Sequence, residues 1–126
     1  MPEVEKGNSE PTIEQVLGMM RQMMGSLPAA MEKAARVDES LVREHVRSRG
    51  YAMPAGGVLD DETRTLLYLA SAIAAGSRAC IDAMANRAKT QKIARAKVLE
   101  AFRIARFALA TKAIGEAESL FESLSS

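Results

Sequence analysis

A chain of 126 residues, 48% hydrophobic and 26% charged, can bury a core as one domain without metals or disulfides. Its net charge of +1 excludes the basic field that draws in nucleic acid, and with three Phe, two Tyr and no Trp it has few rings to stack on exposed bases. One cysteine, Cys80, excludes an internal disulfide and suits a reducing compartment; the polar start lacks a signal peptide's apolar run, and the longest apolar stretch, 66–76, is too short to span a bilayer, so a cytoplasmic location is expected.

Residues 1–11, with Glu3, Glu5, Lys6 and Glu10, are expected to form a flexible tail, and 12–126 a single helical domain. Thr12 with Gln15 three residues on is a capping box, and Val16, Met19, Met20, Met23 and Met24 follow at helical spacing. Such a methionine stripe, with Met31 beyond it, serves a core or a subunit interface more often than an adaptable binding surface. Gly25, Ser26 and Pro28 interrupt, and Pro28 suits the first turn of a second helix carrying Met31, Ala34 and Ala35. Asp38 is a fresh N-cap for a third helix with Leu41, Val42 and Val46, ended by Gly50. Pro54, Gly56 and Gly57 mark a loop over 51–58.

Asp60 or Asp61 then caps a long helix from about Glu62. Its Leu66, Ala70, Ile73, Ser77, Cys80 and Met84 fall on one face at about 100° per residue, with Gly76 as a place to kink or break. A turn without glycine is expected near 89–94. The last long helix runs from about Ala94 to Ala110 or beyond, with Val98, Phe102, Ala105 and Leu109 as its buried stripe, and a short helix fits 116–124. No strand pattern and no repeat is visible. The expected fold is an all-α, compact orthogonal bundle of about five or six helices.

The stretch Leu59–Asp60–Asp61–Glu62–Thr63–Arg64–Thr65–Leu66–Leu67–Tyr68–Leu69–Ala70, leading through Gly76–Ser77–Arg78–Ala79–Cys80–Ile81–Asp82–Ala83–Met84, resembles the central helix of the carboxymuconolactone decarboxylase and alkylhydroperoxidase D family. Val98–Leu99–Glu100–Ala101 falls where that family begins its next helix, and Leu27–Pro28–Ala29–Ala30–Met31 with the Asp38 cap resembles it upstream, so the likeness covers roughly residues 16–124. The family motif is a glutamate, eleven residues, then C-x-x-C-x-x-x-H. Cys80 falls on its second cysteine, Ser77 on the first, Met84 on the histidine and Thr65 on the glutamate; Lys92 stands where the family has a glycine. The resemblance implies a homo-oligomer, a trimer or hexamer built on the central helices.

In active members, the resemblance implies, the cysteine pair cycles between dithiol and disulfide while the glutamate and histidine relay protons. A thiolate nucleophile needs a neighbour to stabilise it or take its proton, and a second thiol to resolve the sulfenic acid. Ser77 cannot form a disulfide, Met84 neither carries a proton nor acts as a base, and Thr65 offers only a hydroxyl. The dithiol cycle is therefore impossible within one subunit. Cys80 is read as a packing residue or as a single redox or catalytic thiol, and Ser77 as a hydrogen-bonding neighbour or a small residue that lets helices approach. His45, near a helix end, fits a solvated role, and one His with one distant Cys lacks metal-ligand spacing, so neither metal nor cofactor is expected. Arg87, Lys89, Lys92, Arg95, Lys97, Arg103 and Arg106 do not make a single stripe, so a solvated surface is expected ahead of nucleic-acid binding.

The expected function is that of a non-catalytic or repurposed oligomer, structural or binding a small apolar ligand near Ser77, Cys80 and Met84. The alternative is an enzyme: a one-cysteine, thiol-dependent alkyl hydroperoxide reductase using Cys80, or a lactone decarboxylase.

Overall fold

The computed structural model describes residues 10–25 and 27–126, without the Met24 side chain; most of the expected tail and Ser26 lie outside them. Among the described residues there are seven helices and no strand: α1 (Ile13–Met24), α2 (Ala29–Val37), α3 (Glu39–Ala52), α4 (Asp61–Ala75), α5 (Arg78–Thr90), α6 (Arg95–Glu116) and α7 (Glu118–Ser125). The fold is all-α, as expected. The higher count arises because the long helix is two helices, and because the short C-terminal helix is present. Helices α1–α3 form one compact unit, ending at Gly57, and α4–α7 a second, from Val58. No described helix is long and apolar enough to cross a membrane.

In the first unit the capping box closes as expected. The Gln15 backbone N–H donates to Thr12 Oγ1 at 3.1 Å, and the Thr12 N–H donates to Gln15 Oε1 at 2.8 Å, which satisfies two donors the helix start would leave orphaned. Pro28 sits one position earlier than expected, at the N-cap of α2. Asp38 ends α2 by donating its N–H to the Ala34 carbonyl, and starts α3 by accepting from the Ser40 N–H. The Ser40 hydroxyl also donates to that carboxylate, and together these bonds hold Asp38 below the usual carboxylate range. Val16, Met20 and Val42 are the core, packed round by Ile13, Leu17, Leu27, Met31 and Val46. The methionine stripe therefore divides, with Met20 buried and Met19 and Met23 exposed.

In the second unit α4 is the central helix, packed against both α5 and α6. Asp60 is its cap: the Thr63 N–H donates to Asp60 Oδ1 at 2.7 Å, which holds that carboxyl below its ordinary range. At the far end Gly76 adopts φ 75°, a left-handed conformation that terminates α4. The chain restarts as α5 with Ser77 as N-cap. The single face expected for Leu66, Ala70, Ile73, Ser77, Cys80 and Met84 is thus divided between two helices. The buried positions of α4 are Thr65, Leu69 and Ala72, and those of α5 are Ala83, Met84 and Ala88.

The stripe expected on α6 holds in part. Ala105 is buried and Val98 half-buried as expected, whereas Phe102 and Leu109 are exposed and Ala101 is buried instead. The two alanines allow α6 to lie close on α4, and the large side chains are turned outward. The turn before α6 passes through Lys92 at φ 58°, the left-handed region that costs a side chain with a Cβ roughly 1–2 kcal/mol. Lys92→Gly, the family's residue, should therefore stabilise the chain by about 0.5–1 kcal/mol, net of the extra freedom of an unfolded glycine; urea unfolding checks this.

Beyond Ala105 the chain leaves its own core. Residues 106–116 of α6 are all exposed, and α7, which follows across Ala117, buries no residue. This helical arm nevertheless carries Phe107, Leu109, Ile114, Leu120, Phe121 and Leu124.

Candidate functional site

The four positions that fall on the family motif all belong to α4, to α5 or to the junction between them; three of them enter two hydrogen-bonded groups, and the fourth, Met84, packs in the core. Ser77 is the N-cap of α5 and Cys80 lies in its first turn, where the Cys80 N–H donates to Ser77 Oγ at 3.4 Å. The serine in the first cysteine's place thus caps a helix, a role the break at Gly76 creates. Across from it, on α4, Tyr68 brings its hydroxyl to 3.2 Å from the Cys80 sulfur. Cys80 is a free, half-buried thiol.

Thr65 belongs to the second group. It is 2% exposed, and its hydroxyl donates to Gln91 Oε1 at 2.9 Å, tying the middle of the unit to the turn after α5. Both partners are neutral, so this bond holds the turn in place without a charge to relay. Met84, one turn beyond Cys80, is 6% exposed and packs as core. A thioether there gives the surrounding helices a flexible apolar filler and no proton acceptor at neutral pH.

Two participants escape a reading of the sequence: Tyr68 and Gln91. Tyr68 lies three residues after Thr65, a spacing that places both on one flank of α4, but its partner becomes apparent only once α5 is seen to start afresh at Ser77. Gln91 lies in a turn whose composition gives no turn signal. His45 is exposed on α3, in the first unit. Among the described residues, no group of three or more His, Cys, Asp or Glu is placed to hold a metal ion.

The basic residues disperse as the helix geometry requires. Lys97 Nζ meets Glu62 Oε2 at 2.6 Å, joining α6 to α4, and this bond raises the lysine above its ordinary value. Arg103 and Arg106 are exposed, and no ion pair among the described residues involves either.

Two grooves have apolar floors. One, of about 570 Å³, lies in the first unit against Val16, Met19 and Val46, with Arg43 and Arg47 at its rim. The other, of about 250 Å³, lies between α4 and α6, formed by Leu66, Leu67, Ala70, Ala101 and Ile104 with Lys97 at its edge. Ser77, Cys80 and Met84 line neither.

No curated protein matches the chain by sequence. The pattern of the Carboxymuconolactone decarboxylase family matches residues 43–122, from within α3 into α7, and so takes in all of α4, α5 and α6. On that match, which spans more than half of its length, the chain belongs to the carboxymuconolactone decarboxylase family.

Proposed function

We propose that this chain is a non-catalytic, self-associating member of its family: a cytoplasmic homo-oligomer that acts as a structural or small-ligand-binding protein. The observation that carries this reading is the C-terminal arm. Phe107 is 72% exposed, Ile114 66% and Leu124 74%, on the stretch of α6 beyond Ala105 and on α7, where no side chain is buried. Isolated short helices are marginal in water, and contiguous apolar surface on a soluble chain marks an interaction face. Leu67 on α4 and Ile104 on α6 are exposed as well, and both line the groove between those helices. A second copy would cover all of these side chains, in keeping with the trimer or hexamer that the resemblance implies. The two helical units then act as one domain within the oligomer.

The chemistry of the motif positions supports the same reading. Thr65, Ser77 and Met84 each have a role in packing, capping or hydrogen bonding that needs no proton transfer. A small apolar ligand is proposed to bind beside Ser77, Cys80 and Met84. Sedimentation equilibrium of the full chain at micromolar concentration tests the oligomer directly; a monomer throughout overturns it.

The Tyr68 hydroxyl beside the Cys80 sulfur favours a second reading, a one-cysteine peroxidase. In it the Cys80 thiolate attacks the distal oxygen of a hydroperoxide. The O–O bond breaks, an alcohol leaves after taking a proton, and the sulfenic acid is reduced by two equivalents of an external thiol to give a disulfide and water. Lactone decarboxylation is the lesser alternative, because it requires a proton donor that the motif positions lack.

The readings separate on one rate. In a non-catalytic protein, native Cys80 reacts with hydrogen peroxide and with a thiol probe no faster at pH 7 than in the denatured chain. A peroxidase requires a native rate at least tenfold above the denatured one, and a fall on Tyr68→Phe, since that hydroxyl would donate to the thiolate.

A further inference from the structure

We draw no further inference here: the strongest candidate, the apolar groove between α4 and α6 floored by Leu66, Leu67, Ala70, Ala101 and Ile104, has its one cation, Lys97, already paired with Glu62 and a carboxylate, Glu100, in its own lining, so nothing in the structure shows what covers it.

Discussion

Thr65→Glu, which restores the residue of the family motif, should destabilise the chain by about 3–5 kcal/mol at pH 8 and by much less near pH 4. Position 65 is 2% exposed, and the described partner of the threonine is the Gln91 side chain, which is neutral. The histidine position holds Met84, so the motif no longer supplies a cation to pair with a carboxylate. A carboxylate there loses its hydration and gains at most an amide hydrogen bond, so its folded-state pKa rises above the unfolded value of about 4.3. The sign follows from proton binding. Between the two values the folded chain holds the extra proton, so stability falls as pH rises through that window and levels off above it. Urea unfolding at pH 4.3, 6 and 8 measures this, and equal losses at all three would mean that water reaches the site. Thr65→Val is the control: it keeps the shape, leaves Gln91 Oε1 without its donor, and should cost about 1–2 kcal/mol with no such pH trend.

Phe107→Glu with Ile114→Glu should convert the proposed oligomer to monomer over the micromolar range while leaving the helical signal and the unfolding midpoint of the dissociated chain unchanged. Neither side chain touches the core, since the buried residues of α6 are Ala101 and Ala105. At about 100° per residue Ile104, Phe107 and Ile114 lie within about 80° of one another, so the two charges fall on one flank that an interface must desolvate. A large side chain at the centre of an interface is worth about 2 kcal/mol or more, so losing two and burying charge in their place should raise the dissociation constant at least 100-fold. Sedimentation velocity over a dilution series reads this. An unchanged distribution would move the interface elsewhere.

Local sequence was a sound guide wherever a residue acts on its own neighbourhood. Thr12 with Gln15, Asp38 and Asp60 each bond a backbone N–H two or three residues away, so their caps are readable without the fold. The motif was readable too, because Thr65, Ser77, Cys80 and Met84 keep the family's spacing even though three of the four side chains have changed. The buried faces were less legible. Leu66, Ala70 and Ile73 have helical spacing, but so do Thr65, Leu69 and Ala72, and in an alanine-rich helix hydrophobicity barely distinguishes the two stripes. On α6 Ala105 was legible as inner, but the large residues Phe102 and Leu109 expected beside it face outward and Ala101 takes their place.

By itself, then, the sequence determined an all-helical chain, where most of its helices begin, its family, and the loss of a dithiol cycle, because these follow from short-range hydrogen bonding, residue chemistry and spacing. Only the tertiary structure decided that Gly76 turns one expected helix into two, that Ser77 thereby becomes a cap and Cys80 a neighbour of Tyr68, that Thr65 is tied to Gln91, and that the apolar C-terminal arm has no core of its own to join. Each of these depends on which helix packs against which, and the packing is set by the close approach that alanine allows and bulkier side chains prevent.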